Sequence, residues 1–170
     1  NAGPGSTATI ALDIQLGGSA GGTQFIDVQA GATLTLTGQV SSSASALTVA
    51  LTKKSPGTLV LTRDNTAFVG PFAIQSNGGV VQIQNQNALG SSSTAVTVGT
   101  NSQLQINNLT GGAFTVTQDL KLNGPGFAND GALLLAATSK SATWAGNIEL
   151  DSDASIGSNV PLNLINGLNV

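Results

Sequence analysis

The chain has 170 residues, a net charge of −3 and only 8% charged residues, whereas about a quarter of the residues are charged in typical soluble domains. So few ionised groups exclude the basic surface with which proteins bind nucleic acid or anionic membranes. Cysteine, histidine, methionine and tyrosine are absent, which excludes disulfides, thiolate chemistry and Ser-His catalysis.

The apolar residues are spread along the chain and form no long run. None of these runs approaches the roughly 18 consecutive apolar residues of a membrane helix, and no charged segment followed by an apolar one marks a signal peptide. The length suffices for one domain that buries most of its apolar surface. We therefore expect a single domain over residues 1–170 with no membrane insertion by this segment, either a mature product or a piece of a longer chain.

The first two thirds of the chain predict short strands separated by polar turns. Residues 1–6 indicate an irregular lead-in, and strict alternation over residues 7–16 predicts one half-buried strand. The Ser-rich run at residues 39–46 predicts a loop. Further strands are predicted at residues 23–28, 31–37, 47–52, 58–62, 72–74, 81–83, 96–98 and 104–106.

Beyond residue 107 the spacing of the predicted strands changes. They are placed at residues 114–116, 120–122, 133–135, 148–150 and 162–164, and residues 160–170 predict one final strand. The later strands follow one another at intervals well short of a full repeat. We interpret this as each turn now showing two of its strands, rather than as an interruption of the winding near residues 124–126. No segment has a convincing helical period; the nearest, residues 132–138, is short and follows Gly131, so we predict a strand there.

A short strand with two apolar positions separated by one residue recurs at a nearly constant spacing. The apolar pairs are Leu34 and Leu36, Leu59 and Leu61, Val81 and Ile83, and Leu104 and Ile106. A repeat of roughly this length, between about 20 and 50 residues, is typical of a solenoid, and recurring Asn and Thr predict amide and hydroxyl ladders between turns about 4.8 Å apart. One Trp and five Phe suit a narrow interior. We therefore predict an all-β fold, a parallel β-helix (β-solenoid), with a β-sandwich as the alternative.

Residues 53–62 resemble the opening K-x-G-x-G-T-L-x-L-x-G of the autotransporter-associated β-strand repeat. Similar segments continue at residues 65–70, 78–83, 87–91, 131–133, 144–150 and 153–158, so that the resemblance covers residues 50–165. It implies a single-stranded, right-handed parallel β-helix in secreted or surface-displayed bacterial proteins. There the repeat acts mainly as a stalk or fibre, and the resemblance implies no catalytic activity.

Glu149, Asp151 and Asp153 alternate along one predicted strand, so their carboxylates share one face. Oxygen ligands on one face are candidates for binding Ca²⁺. Carboxylates are also the only catalytic groups open to this chain, as in polysaccharide-degrading β-helices. We favour the third interpretation, a solvated face whose charges discourage unwanted strand pairing. We accordingly predict no enzyme, no catalytic residue and no cofactor, with Ca²⁺ as the one candidate ion.

Three other features are candidate contacts. Trp144 is a candidate glycan contact because an aromatic face can stack on a sugar, although a lone Trp beside Ala and Gly more often covers the end of a core. Asn108 opens the only Asn-x-Thr sequence and is a candidate glycosylation site. Lys53, Lys54 and Arg63 form the only basic group, either a polyanion contact or the protection of a strand edge.

The function predicted from these features is structural. We expect a non-enzymatic β-solenoid of an extracellular or bacterial cell-surface protein that forms a stalk or a head-to-tail fibre. Both ends of a coil present unpaired strand edges and an open core, so the expected partners are other copies or adjoining repeats of a longer chain. The alternative is an adhesin or carbohydrate-binding module that contacts surface glycans, and a polysaccharide-degrading β-helix is the third hypothesis.

Overall fold

The computed structural model is a coil of about six turns built from parallel strands. It describes residues 5–18, 21–43 and 48–169, and for residues 168 and 169 the backbone alone. Every strand pairing among these residues is parallel. The predicted β-solenoid is confirmed, and the sandwich alternative is wrong because sandwiches are built from antiparallel sheets.

The described residues form nineteen short strands and one 3₁₀ helix. In chain order the strands are β1 (Thr7–Ile10), β2 (Ile14–Leu16), β3 (Thr23–Asp27), β4 (Thr33–Leu36), β5 (Val40–Ser42), β6 (Ala50–Lys54), β7 (Thr58–Leu61), β8 (Phe72–Ile74), β9 (Gly79–Ile83), β10 (Val96–Val98), β11 (Ser102–Ile106), β12 (Thr115–Val116), β13 (Leu120–Leu122), β14 (Leu133–Leu135), β15 (Ala142–Trp144), β16 (Ile148–Leu150), β17 (Ile156–Ser158), β18 (Leu162–Leu164) and β19 (Leu168–Asn169). The strands are short because Gly, Asn and Ser turn the chain at each corner, where several of them adopt positive φ angles.

Two sheets extend along the coil, and a third side is partly stranded. The first sheet contains β1, β4, β7, β9, β11, β14 and β17, and the second contains β3, β6, β8, β10, β13, β16 and β19. On the third side β2 pairs with β5, and β12, β15 and β18 pair in that order. Between these two groups, turns close the third side and hydrogen-bond from one turn of the coil to the next, as Ser91 N does to Phe68 O at 2.8 Å.

The apolar pairs that repeat in the sequence stack in register inside the coil. Leu59 pairs with Val81, and Val81 pairs with Leu104, one position per turn. All three side chains are fully buried, and each such burial stabilises the fold by about 1.5–3 kcal/mol relative to an exposed side chain. The spacing of these pairs in the sequence is therefore the length of one turn in this part of the coil.

One predicted strand, residues 7–16, is in fact two strands joined by a corner. β1 ends at Ile10 and β2 begins at Ile14, while Leu12 at the corner is largely exposed. The alternation continues through the corner because Ile14 is again directed towards the core of the next side. Alternation alone does not distinguish a straight strand from one that bends around a coil. The predicted final strand, residues 160–170, divides into β18 and β19 in the same way.

The predicted loop at residues 39–46 contains a strand, β5, which pairs with β2. The Ser-rich composition favoured a loop, but the preceding turn supplies the backbone partners that a strand needs. Turns with β2, β5, β12, β15 or β18 therefore have three strands. Beyond residue 107 each turn contributes more than one strand, as predicted, and the winding is not interrupted. Residues 1–4 of the predicted lead-in, residues 44–47 and residue 170 lie outside the described residues.

The corner that follows β13 is enlarged, and the winding continues through it. The 3₁₀ helix Phe127–Asn129 protrudes there, and a bridge between Gly126 and Gly131 closes its base. A Cβ atom at Gly126 would lie 2.1 Å from the backbone of Gly131, so only glycine allows the approach. The insertion lengthens the turn, and the first sheet resumes in register with β14. The strand predicted within residues 132–138 is confirmed.

Candidate functional site

Trp144, the candidate glycan contact, lies inside the coil. On β15 it pairs with Val116 of β12 on one side and with Leu164 of β18 on the other. Its side chain is 0% exposed, and its indole Nε1 is buried without a hydrogen-bond partner in the described part of the chain. A sugar-stacking platform needs an exposed ring face, and Trp144 offers none. Its alternation with buried Ala142, visible in the sequence, indicates the inward direction.

The structure does not bring the three candidate Ca²⁺ ligands together. Glu149 lies on β16, where its Oε2 is 2.8 Å from Nζ of Lys121 on β13. Asp151 and Asp153 follow the end of β16 and are exposed. No group of three or more acidic, His or Cys side chains in the described ranges could hold a metal ion. The hydrogen bond and charge of Glu149 raise the pKa of Lys121, and an exposed pair of this kind contributes little stability.

Asn108, the candidate glycosylation site, is buried and fully engaged. Its side chain is 1% exposed. Nδ2 donates to the carbonyl oxygens of Gly112 and Ser141, at 3.1 and 3.0 Å. Oδ1 accepts from Thr110 and Gly111 in the following turn. A glycan on Nδ2 would require the loss of these contacts, so the folded coil does not present Asn108 for modification.

Lys53 occupies an interior position in the second sheet. Its register partners are Ile26 on the preceding turn and Ile74 on the following turn, both apolar. The side chain is 0% exposed. The predicted surface position of Lys53 is therefore wrong, and its spacing from buried Val49 and Leu51 already indicates an inward direction.

The ammonium group of Lys53 is satisfied by the corner that follows β6. Nζ donates to the carbonyl oxygens of Lys54, Ser55 and Gly78 at 2.7, 2.6 and 2.7 Å. Three acceptors match the three donors of an ammonium group. Burial lowers the pKa of Lys53 to about 8, and the charge of Asp27 partly opposes this shift. Lys53 therefore remains mainly protonated at neutral pH and joins two turns of the coil.

The three basic residues between positions 53 and 63 do not form one surface. Lys53 is inside the coil, while Nζ of Lys54 lies outside, 4.9 Å from the centre of the Phe25 ring. Arg63 is exposed beyond the end of β7. The hypothesis of a polyanion contact therefore loses the cluster on which it was based.

Asn65 joins three successive turns on the side where the third sheet is interrupted. It is 2% exposed. Its Oδ1 accepts from the backbone N of Val40 on the preceding turn at 2.8 Å, and its Nδ2 donates to the carbonyl oxygen of Ala88 on the following turn at 2.8 Å. This role is not predicted from the sequence, because Asn65 has the sequence context of an ordinary turn residue.

The predicted amide ladders are present at two places on the outside of the coil. Asn101 donates to Oδ1 of Asn77 on the preceding turn at 3.2 Å. On the first sheet, Gln82 donates to Oε1 of its register partner Gln105 and accepts from Gln84. The Asn101–Asn77 and Gln82–Gln105 bonds join successive turns through side chains as well as through the backbone.

The two end turns leave interior positions uncovered. Ile10 pairs with buried Leu36 and is 37% exposed, and Leu164 pairs with buried Trp144 and is 40% exposed. In the described chain, β1 and β3 at one end and β17 and β19 at the other each have a single partner strand. The ends therefore combine free backbone edges with exposed apolar side chains.

The search for similar proteins found no match to this chain among protein-family models, curated proteins or solved structures. The resemblance to the autotransporter-associated repeat therefore stays a prediction. The described residues contain no helix with the length and hydropathy needed to cross a membrane.

Proposed function

We propose that this chain is a structural β-solenoid of an extracellular or bacterial cell-surface protein, in which it forms a stalk or joins other copies end to end. Its ends would bind adjoining repeats of a longer chain or a second copy of the coil. The proposal assigns no catalytic residue and no cofactor.

The observation that carries the proposal is the position of the exposed apolar side chains. Seven large apolar side chains are exposed in the described residues. Five of them lie in the first or last turn: Ile10, Leu12, Phe25, Leu164 and Ile165. Ile10 and Leu164 belong to interior rows, so a further turn placed on either end would continue these rows and cover them. The free edges of the end strands supply unpaired backbone groups for the same contact.

The interior supports a mechanical role because each turn is joined to its neighbours in several ways. The row of Leu59, Val81 and Leu104 is continuous from turn to turn, and Lys53 and Asn65 add side-chain hydrogen bonds between turns. In such a solenoid, stability is approximately a sum of turn and interface contributions, so added turns extend the coil without a new core. The absence of cysteine is compatible with export through an oxidising envelope.

Sedimentation velocity and negative-stain electron microscopy over a range of concentrations test self-assembly. We expect rods that lengthen with concentration. Ile10→Lys or Leu164→Lys should reduce them to isolated particles, because a charge would then enter an interior row. Leu109→Lys is the matched control, since Leu109 is exposed but lies away from both end turns. Isolated particles of the original chain at every concentration would reject self-assembly.

A tandem fusion of two copies tests the stalk. If the ends join adjoining repeats, the fusion should form one straight rod with a higher Tm than the single coil. Two independently oriented particles with an unchanged Tm would contradict the stalk.

A further inference from the structure

Three shallow depressions follow one another along the outside of the coil. The first has a volume of about 370 Å³, and Asp13, Gln39 and Arg63 are in its wall. The second, about 260 Å³, shares Asp64 with the first, and the third, about 130 Å³, shares Ala113 with the second. Neighbouring depressions share wall residues and so lie in line along one side of the coil. We call this row of depressions the axial groove.

The axial groove takes its lining from successive turns. Asp13 and Gln39 stand just before the register partners Ile14 and Val40. At the other end of the groove, Thr143 and Asn163 are register partners on β15 and β18. Adjacent parallel strands lie about 4.8 Å apart, so the groove presents a new polar side chain at each such step. Its length of roughly 25–30 Å follows from this spacing over the turns that it crosses.

Several groups in the axial groove have unused hydrogen-bonding capacity. The side chains of Arg63, Thr143 and Asn163 make no hydrogen bond or ion pair within the described residues. Each carboxylate oxygen of Asp64 accepts one hydrogen bond. Oδ1 accepts from Thr66 N at 2.9 Å, and Oδ2 accepts from Asn87 Nδ2 at 2.8 Å. A carboxylate can accept about four. The groove therefore presents donors and acceptors together.

We propose that the axial groove binds a linear, uncharged polysaccharide along the axis of the coil, through hydrogen bonds to the sugar hydroxyl groups. The amides, carboxylates and guanidinium of the lining include both hydrogen-bond donors and acceptors. A sugar hydroxyl group can pair with either kind, because it both donates and accepts. The turn spacing is comparable to the length of one sugar residue in an extended chain, so each successive sugar would face the lining of one turn. This function is independent of whether the ends of the coil assemble.

The charges of the axial groove favour an uncharged ligand. Its described lining contains two carboxylates, Asp13 and Asp64, and one cation, Arg63. A net negative groove repels nucleic acid and acidic polysaccharides. An apolar peptide would leave the polar groups of the lining without partners, which is unfavourable.

The same groups favour binding over cleavage. Glycoside hydrolysis needs one carboxylic acid with a raised pKa that can donate a proton. The hydrogen bond from Asn87, followed by the bond from Thr66, lowers the pKa of Asp64. Asp13 accepts a 2.7 Å bond from the backbone N of Gln39. Asp64 is therefore suited to accept hydrogen bonds from a sugar and unsuited to act as the acid.

Isothermal titration with defined oligosaccharides tests the proposal. The probes are cellohexaose, laminarihexaose, mannohexaose and chitohexaose, with cellobiose as the short control and hexagalacturonate as the acidic control. We expect at least one neutral hexasaccharide to bind at least tenfold more tightly than cellobiose and hexagalacturonate, because it contacts several turns. Ala113→Trp fills the middle of the groove and should abolish binding of that hexasaccharide. Arg63→Ala and Asn163→Ala should each weaken it by roughly threefold to tenfold, as expected for the loss of one or two hydrogen bonds.

Lys121→Ala is the matched control, because it removes a cation from the second sheet, outside the axial groove. It should leave the affinity unchanged, and circular dichroism should show that each variant remains folded. The proposal is overturned if no neutral hexasaccharide binds, if hexagalacturonate binds more tightly than all of them, or if Arg63→Ala and Asn163→Ala both bind as the original chain does. Release of reducing ends from the bound sugar would also overturn it, since the groove would then cleave its ligand.

Discussion

The ammonium group of Lys53 donates to the carbonyl oxygen of Gly78, one turn further along the coil, at 2.7 Å. The backbone N of Gly78 in turn donates to Oγ of Ser102 at 2.8 Å. Ser102 is also buried, and its Oγ donates to the carbonyl oxygen of Gln75 at 2.6 Å. A row of buried polar contacts therefore runs beside the apolar rows and joins three turns at one corner.

Replacing Lys53 by methionine should destabilise the coil by about 1–3 kcal/mol at pH 7, because the buried carbonyl oxygen of Gly78 would lose its donor. The methionine side chain itself fits between Ile26 and Ile74. Urea unfolding midpoints measure the change. Lys54→Met removes an outward ammonium group and should cost less than about 1 kcal/mol. Equal or higher stability of the Lys53 variant would show that the three carbonyl bonds contribute nothing.

The stability of the original chain should rise with pH between about pH 8 and the ordinary lysine pKa of 10.5. In that window Lys53 is protonated in the unfolded chain and neutral in the folded one. The unfolded state therefore binds more protons, and raising the pH favours folding. Below pH 8 both states carry the proton, and the effect vanishes.

The full rise in stability is on the order of 3 kcal/mol. It is measured as the difference in the free energy of unfolding between the original chain and Lys53→Met at each pH, so that the other titrating groups cancel. A difference that stays constant from pH 7 to 11, or one that moves against the original chain, would contradict the lowered pKa.

Asn65→Ala should destabilise the fold by about 2–4 kcal/mol, because it leaves both Val40 N and Ala88 O buried without partners. Asn163→Ala is the control. Asn163 is exposed and makes no side-chain hydrogen bond within the described ranges, so its loss should change stability by less than about 0.5 kcal/mol. Thermal unfolding followed by circular dichroism separates the two. Similar Tm values for both variants would mean that water replaces the Asn65 contacts.

The fluorescence of Trp144, the only tryptophan, should report burial. We expect an emission maximum at short wavelength and quenching by iodide that is several-fold weaker than for the free amino acid derivative. Unfolding in urea should remove both features. Strong quenching in the folded state would place the ring at the surface and would restore Trp144 as a sugar contact.

Much of the interior could be predicted from the sequence, because in a strand alternate side chains face opposite sides. Leu59, Val81 and Leu104 were identified by period alone, and they stack in register. Lys53 follows the same alternation, but its charge favoured a surface position. The corner at Leu12 was not predicted, because side chains can alternate through a bend as they do along a straight strand. The strand β5 was not predicted, because a Ser-rich composition does not show that a neighbouring turn supplies backbone partners.

The alternation and the regular recurrence of the apolar pairs predict a parallel coil, because a single strand and a single turn already contain these local patterns. The stacking of one turn on the next determines which polar residues lie inside, where the end turns expose interior positions, and how Asp13, Asp64 and Asn163 come to line one groove. These properties depend on contacts between residues a full turn or more apart. Such contacts exist only after the turns have stacked.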